Sequence, residues 1–295
     1  MSEEKIKLID DLNSAGIDID FMIQEAFLGY KYRKSKNKLY EDTAEVPTKL
    51  IKIYYELTPH KIEFDNMKKA FIRKYINNES EIEGVDTKNI HSKAEIEGLK
   101  VMYEYIHSDD INYMFDVYTL KDLRMKLYSF TEFPQYAGDF RNYPAYLPGT
   151  GTELASYENI RTELNRIDVS VQELLKEAEE IKNGGNTGKL LAYLDKCVVV
   201  GCELIKVHPF GDGNGRTIRG FINKLLENAG LPPIYIKTNE RTEYHTAMNA
   251  ANNDGDYTFI KGFYRYKVCD SIIELDINER VKKMDCKSKV KKIDK

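Results

Sequence analysis

Residues 206–221 bring together the residue types that bind anions and transfer protons. They read KVHPFGDGNGRTIRGF and hold a histidine, an aspartate, an asparagine, two arginines and four glycines. Glycines let backbone amides approach a ligand closely, and Arg216 and Arg219 share one face of a helix that begins near Asn214. Guanidinium forks match phosphate oxygens, and loop amides at a helix N-terminus form an anion site. The stretch predicts a phosphate-binding loop, because a solvated glycine-rich turn explains single residues here but not the whole set.

The elements around this loop are predicted to be helices. Apolar residues recur at three- and four-residue spacing over 46–57, 62–76, 87–107, 157–182 and 188–207. The last of these stretches is apolar almost all round, as expected of a helix in the centre of a bundle, and it leads directly into His208. Pro209 favours an extended conformation at His208 and the end of that helix. The fold class is therefore predicted to be all-α.

One segment, residues 136–156, departs from the helical pattern. It carries three glycines, two prolines and the alternating stretch DFRNYPAYL. This composition predicts a β-hairpin or an ordered loop between helices. The length of the segment favours a functional loop over an ordinary surface connection.

Composition narrows the classes of function. The 295 residues include 44 lysines and arginines and 48 acidic residues, a formal net charge of −4, which argues against broad binding to DNA or RNA. The lysine-rich residues 280–295 are predicted to be a solvated terminus. No segment has the apolar length of a signal peptide or a membrane span, so we expect a cytoplasmic protein. Buried free thiols are expected, because no C-x-x-C pair is formed by Cys197, Cys202, Cys269 and Cys286.

The twelve residues HPFGDGNGRTIR, 208–219, resemble the signature of the Fic family, H-P-F-x-[D/E]-G-N-G-R-x-x-R, and match every fixed position. AGDFRNYPAYLPG, residues 137–149, is similar to the stretch leading into the family's flap, a hairpin that aligns a target segment by strand pairing. The resemblance implies a Fic-type helical bundle with a β-hairpin flap at residues 138–150. It also implies three regions: an N-terminal helical region over 1–110, a catalytic core over 111–268, and a C-terminal helix with a basic tail over 269–295.

The resemblance implies transfer of AMP from ATP to a hydroxyl of a target protein. A neutral His208 can accept the proton of a Ser, Thr or Tyr hydroxyl, and Asp212 offers a hard oxygen ligand for Mg²⁺. Asn214 and the loop amides can hold the α-phosphate as charge develops, while Arg216 and Arg219 clamp the other phosphates. The catalytic set implied is His208, Asn214, Arg216 and Arg219. The nucleotide-binding set implied is Gly211, Gly213, Asn214, Gly215, Arg216, Arg219, Tyr244 and Asn252.

The adenine end of the nucleotide is assigned by the same resemblance. Tyr244 matches an aromatic residue that the family places after the motif, and Asn252 best matches an asparagine there. Asn253 competes with Asn252 for this role, because the sequence has one extra residue before Gly255. Phe210 is expected to anchor the loop in the core.

Residues 77–86, NNESEIEGVD, resemble the family's inhibitory motif, [S/T]-x-x-x-E-[G/N], in the subclass with an N-terminal inhibitory helix. The match makes Glu83 the inhibitory glutamate, placed against Arg219 where the γ-phosphate binds. Four residues earlier the motif has Ser or Thr, whereas this chain has Glu79, a departure that predicts a loose restraint. Without the resemblance, a solvated run of acidic residues is the alternative. Glu97, in a second EIEG stretch, is expected to be structural.

Three functions follow from these expectations. The leading hypothesis is an autoinhibited protein adenylyltransferase that also modifies its own hydroxyls. One alternative is an enzyme that removes AMP from a modified protein, with Glu83 positioning the attacking water. The other is a nucleotide-binding regulator without transfer activity, which the intact His208 disfavours. ATP and Mg²⁺ are the expected cofactors, and the expected partner is a target protein with an exposed hydroxyl; a homo-oligomer is compatible with the sequence.

Overall fold

The computed structural model describes residues 67–84, 90–112, 114–132, 134–184 and 187–271. Helices dominate this part of the chain, as predicted, and none of them is long and apolar enough to cross a membrane. They are α1 (Met67–Ile82), α2 (Ile90–Ile106), α3 (Thr119–Leu127), α4 (Ile160–Gly184), α5 (Leu190–Val207), α6 (Asn214–Asn228), α7 (Arg241–Asn249) and α8 (258–271). The helix predicted over 46–57, Cys286 and the basic tail lie outside the described residues.

Helix α5 lies at the centre of the bundle, where its apolar sequence places it. It packs between α4 and α6, and Cys197 and Cys202 on it are buried free thiols, as is Cys269 on α8. Gly201 lets the helix approach Ile222 of α6 closely. The two helices therefore form a rigid support for the loop 208–213 that joins them.

The N-terminal helices pack against the side of the bundle formed by α3 and α6. Gly98 of α2 lies so close to the carbonyl oxygen of Leu127 that an added Cβ would overlap it. Met102 and Ile106, also on α2, lie against Gly220 of α6, and α1 packs on α2. This packing brings α1 close to the first turns of α6, where Arg216 and Arg219 stand.

The β-hairpin predicted for residues 138–150 is wrong, because residues 134–184 contain no strand. The segment at residues 137–156 is irregular. Two backbone bonds tie it to the end of α5 and the residues after it, from Arg141 N–H to the Pro209 carbonyl (2.9 Å) and from Ala155 N–H to the Lys206 carbonyl (3.0 Å). Two of its own carbonyls accept hydrogen bonds from the Arg141 guanidinium instead of a second strand. Prolines at 144 and 148 also lack the N–H that a ladder needs.

A π-helical turn, Ala250–Asp254, follows α7 without a break. Such turns accommodate one additional residue within a helix, and they occur frequently at functional sites. Gly255 closes the turn in the left-handed conformation (φ 70°), and Asn252 and Asn253 both lie within it.

Candidate active site

The loop between α5 and α6 begins at His208, whose backbone is left-handed (φ 49°, ψ 61°). The extended conformation expected before Pro209 is therefore wrong. The helix does end here, but the His208 N–H still donates to the Leu204 carbonyl at 3.0 Å, so the chain turns sharply. Among the described residues, His208 alone has a positive φ without being glycine. A side chain held in this region carries backbone strain, which is typical of functional sites.

Arg141 holds this strained turn in place. Its Nε donates to the His208 carbonyl at 2.7 Å, and its Nη2 donates to the Val207 carbonyl at 3.2 Å. Two further bonds go to the carbonyls of Tyr143 (2.9 Å) and Ala155 (2.5 Å). One buried guanidinium thus joins the end of α5 to the segment predicted to be the flap.

The imidazole of His208 is stabilised in its neutral form. Burial lowers the pKa of His208, and the positive charge of Arg141 lowers it further, while Asp212 and Glu83 act in the opposite direction. The Nδ1 atom is enclosed by protein and makes no hydrogen bond of standard geometry, although the Ile205 carbonyl lies beside it. Only Nε2 can therefore meet a substrate, and a neutral ring can accept a proton there.

Asn214 locks the loop onto itself. Its Oδ1 accepts the Phe210 N–H at 3.0 Å, and its Nδ2 donates to the Phe210 carbonyl at 2.8 Å. The Phe210 ring is fully buried, as expected, against Phe140 and beneath the Arg124 guanidinium. The Asn214 amide therefore keeps the loop closed through its Oδ1 and Nδ2 atoms.

Asp212 stands at the outer side of the loop. One carboxylate oxygen accepts the Gly213 N–H at 2.7 Å and the other accepts the Tyr128 hydroxyl at 2.9 Å, while Arg124 Nε donates to the Asp212 backbone carbonyl at 3.0 Å. An ionised carboxylate has about four lone-pair positions, so acceptor capacity for a cation remains. A single carboxylate that shares Mg²⁺ with substrate phosphates is common, and Asp212 fits that role.

Gly211 and Gly213 lie in the loop, and Gly215 lies in the first turn of α6. Gly213 is left-handed (φ 78°) at the start of α6. A Cβ on Gly211 would overlap the Tyr143 hydroxyl, and one on Gly215 would overlap Glu83 Oε1. The carboxylate of Glu83 therefore occupies space at the N-terminus of α6, where backbone amides favour an anion.

Arg216 is buried and already paired. Its Nη1 donates to Glu95 of α2 at 2.5 Å, and its Nη2 donates to the Tyr128 hydroxyl at 3.1 Å. The Nε atom has no partner and is enclosed. Glu97, in contrast, is exposed and pairs with Lys100 on the surface, which agrees with a structural role. Helix α2 therefore supplies a carboxylate to the site through Glu95.

Arg219 binds two carboxylates, one on α1 and one on the turn that follows this helix. Its Nη2 donates to Glu83 Oε1 at 2.7 Å, the contact expected of the inhibitory glutamate, and its Nε donates to Glu79 Oε2 at 2.7 Å. Burial raises the pKa of Glu79, although Arg219 acts against this. Burial also disfavours the charge of Glu83, but Arg219 and Arg216 outweigh it and the pKa of Glu83 is lowered. Glu83 is therefore held on Arg219 as a carboxylate.

The residues assigned to the adenine differ in their availability. Tyr244 is buried, with its ring 6.0 Å from the Arg219 guanidinium and packed on Phe263. Asn252, in the π-helical turn, is buried and its Nδ2 has no partner. Asn253 is exposed and donates to the Thr150 carbonyl at 2.8 Å. Of the two asparagines, Asn252 is thus the one with a free donor inside the protein.

Four further residues shape the site and were not singled out by the sequence, namely Glu79 as a ligand of Arg219, Glu95, Tyr128 and Arg141. Glu79 and Glu95 lie 140 and 121 residues from the arginines that they bind, and no local pattern indicates such a pairing. Arg141 stands in a stretch whose alternation suggested a strand. The residues 208–219 and Glu83 were indicated because their types and order repeat a family signature.

Comparison with known proteins gives the same family for the catalytic region. Residues 114–226 match the model of the Fic/DOC family. Over 190 residues the chain is 31% identical to a protein adenylyltransferase Fic of Culex quinquefasciatus and 30% identical to that of Aedes aegypti, in each case over 62% of this chain and 33% of the relative. The chain therefore spans about a third of the length of these curated relatives.

Solved structures agree on the fold. Fic-1 from C. elegans aligns over 88% of each chain with a TM-score of 0.60 and 18% identity. A Fic-domain-containing signalling protein from Bacteroides thetaiotaomicron aligns over 78% of this chain and 95% of its own, with a TM-score of 0.57 and 18% identity. Residues 114–226, which carry the complete motif from His208 to Arg219, are therefore a domain of the Fic/DOC family.

Proposed function

We propose that the protein is an autoinhibited protein adenylyltransferase, which transfers AMP from ATP to a Ser, Thr or Tyr hydroxyl. The observation that carries the proposal is the position of His208, a neutral imidazole fixed at the entry of an anion-binding loop. A pure nucleotide-binding protein needs no base there. The relatives named protein adenylyltransferase support the same activity.

The residues divide the work as follows. His208 accepts the hydroxyl proton at Nε2 as the hydroxyl oxygen bonds to the α-phosphorus of ATP, and the bond from that phosphorus to the bridging oxygen breaks, releasing pyrophosphate. The amide at Gly215 stabilises the charge on the α-phosphate, next to a loop that Asn214 keeps closed. Arg216 and Arg219 bind the leaving phosphates.

Mg²⁺ held by Asp212 neutralises phosphate charge when it is bound. Tyr128 orients this carboxylate through its hydroxyl and also contacts Arg216. Asn252 is the residue we assign to the adenine, because its buried Nδ2 has no protein partner. The Tyr244 ring packs against the Arg219 guanidinium and closes the site next to it.

Autoinhibition follows from the contact between Glu83 and Arg219. A carboxylate on Nη2 of Arg219 excludes a phosphate from the same donor, so ATP can bind productively only after Glu83 moves. The turn at Glu83 and Gly84 is exposed, which leaves it free to do so. The target protein recognises the segment 138–150 beside the loop, where Tyr143 and Tyr146 are exposed.

The test is incubation with α-labelled ATP and Mg²⁺ in the presence of a host lysate. Glu83→Gly should incorporate more label than the parent protein, into targets and into its own hydroxyls. Adding His208→Ala to that variant should abolish incorporation while ATP binding persists, because only the base is lost. Equal labelling with and without His208 would refute the proposal.

A second candidate function is removal of AMP from a modified protein. The observation in its favour is the Glu83 carboxylate, which lies beside Gly215 in the first turn of α6 and is placed to hold a water there. A target carrying AMP distinguishes the two reactions. Release of AMP by the parent protein but not by Glu83→Gly would favour removal, whereas release by neither leaves transfer as the activity.

A further inference from the structure

The two glutamates on Arg219 are in different surroundings. Glu79 stands within α1 and is 0% exposed, whereas the side chain of Glu83 is 34% exposed and follows the last residue of the helix. Gly84, next to it, has a positive φ (74°), as helix-ending residues often do. A change in the terminal turn can therefore withdraw Glu83 without displacing Glu79.

Helix α1 is also attached to the catalytic region independently of Glu83. The Thr238 N–H donates to Asn78 Oδ1 at 3.2 Å, and the Thr238 hydroxyl donates to Glu81 Oε2 at 2.6 Å. Tyr75 and Ile76, one turn earlier, are buried in the core. These contacts flank Glu79 in sequence, so they hold it against Arg219 after the terminal turn has moved.

The Glu79 carboxylate then competes with a phosphate for the same guanidinium. It occupies Nε of Arg219 at 2.7 Å, and its second oxygen, Oε1, is enclosed without a hydrogen-bond partner. Burial raises the pKa of Glu79, whereas the neighbouring Arg219 favours its ionised form. Because water does not screen a charge in such surroundings, the ionised carboxylate interacts strongly with nearby charges. A γ-phosphate that approaches Nη2 meets a guanidinium whose charge is already balanced and a second negative group close by.

We propose that Glu79 is a fixed counter-charge that lowers the affinity of Arg219 for the terminal phosphate of ATP even after Glu83 has left the site. This inference rests on the proposed function, in which Arg219 binds that phosphate. Glu79 is then a determinant of nucleotide affinity. Its presence in place of the Ser or Thr of the motif gives Arg219 a second negative partner that stays in position when Glu83 moves.

The experiment measures nucleotide binding by calorimetry in the Glu83→Gly background. Glu79→Gln keeps the volume and an acceptor for Arg219 Nε but removes the charge. We expect ATP to bind about tenfold more tightly than to Glu83→Gly alone, and AMP, which has no terminal phosphate, to bind equally to both. Glu97→Gln, the same change at an exposed glutamate, is the matched control and should leave both affinities unchanged.

Glu79→Ser, in the same background, removes the charge together with most of the side chain. A gain in ATP affinity shared by Glu79→Gln and Glu79→Ser is an effect of charge, whereas one that differs between them reflects packing. Unchanged or weaker ATP binding in Glu79→Gln overturns the inference: either Glu79 carries no charge in the site or it orients Arg219 for the phosphate.

Arg219→Ala in the Glu83→Gly background separates this inference from the proposed function. If ATP binds Glu83→Gly and the loss of Arg219 weakens it, the assignment of Arg219 stands and the glutamine variant alone decides the role of Glu79. If Arg219→Ala leaves ATP affinity unchanged, Arg219 is not a phosphate ligand and both proposals fail.

Discussion

The Nε of Arg141 donates to the backbone carbonyl of His208 at 2.7 Å, so the position of the proposed base depends on a residue 67 positions away in sequence. Arg141→Gln cannot span the four carbonyls that the guanidinium binds. Each buried carbonyl left without a donor costs ~1–3 kcal/mol. We expect a clear loss of stability in urea denaturation and a larger loss of AMP transfer, because the strained turn at His208 relaxes.

The control for Arg141 is Arg161→Gln, which alters an exposed guanidinium that packs over Phe140. Its stability and transfer activity should remain close to those of the parent. Full transfer activity in Arg141→Gln would show that the loop holds His208 without this support.

The acid side of the pH–rate profile should reflect the lowered pKa of His208. The neutral imidazole is the active form, so activity persists as the pH falls through about 6.5, the ordinary histidine value, and is lost only below it. Transfer by Glu83→Gly at saturating ATP gives the profile, and far-ultraviolet circular dichroism over the same range confirms that the protein stays folded. A midpoint at or above the ordinary value contradicts the assignment.

Gly98→Ala should loosen the N-terminal helices, because the added Cβ overlaps the backbone of Leu127 and cannot be relieved by a side-chain rotation. Overpacking of this kind costs ~1–3 kcal/mol. Separation of α2 from α3 also weakens the contacts of Glu95 with Arg216 and of Glu83 with Arg219. We therefore expect a lower free energy of unfolding together with a higher basal rate of AMP transfer. Gly184→Ala, where a Cβ meets no atom within 4 Å, is the control.

Asn252→Ala should weaken nucleotide binding, whereas Asn253→Ala should leave it unchanged. The buried amide of Asn252 has a donor without a protein partner, and its loss should weaken ATP binding by ~2–10-fold, the worth of one hydrogen bond. Asn253 uses its amide on Thr150 and its replacement should leave ATP affinity unaltered. Calorimetry in the Glu83→Gly background makes the comparison, and a larger effect at Asn253 would reverse the assignment.

The sequence predicted the helices well because their signal is local. The apolar run of α5 and the periodic pattern of α4 correspond closely to the observed elements, and the start of α6 at Asn214 follows from the glycines before it. The strand prediction at 138–150 failed for a physical reason. Alternation shows which side chains could face a core, but a strand also needs a partner backbone, and here the side chain of Arg141 binds the carbonyls instead.

The site was predictable where one short segment contains it and unpredictable where distant segments meet. The order of residues from His208 to Arg219 could be recognised in the linear sequence. The pairing of Glu79 with Arg219 could not, because it depends on how α1 packs. The loose restraint expected from the absence of Ser or Thr at 79 stays a prediction. In three dimensions the residue there binds the arginine itself.

Since α1 and Arg219 belong to one chain, the Glu83 carboxylate acts as a tethered ligand whose effective concentration at the guanidinium is of at least about millimolar order. Free nucleotide competes with it by mass action, so the ratio of the ATP concentration to its dissociation constant has to exceed the same ratio for the tethered carboxylate. A signal that moves the terminal turn of α1 faces no such requirement, because it changes the local concentration of the competitor instead of the concentration of ATP. Control by partner binding or by assembly therefore suits this arrangement better than control by the supply of ATP.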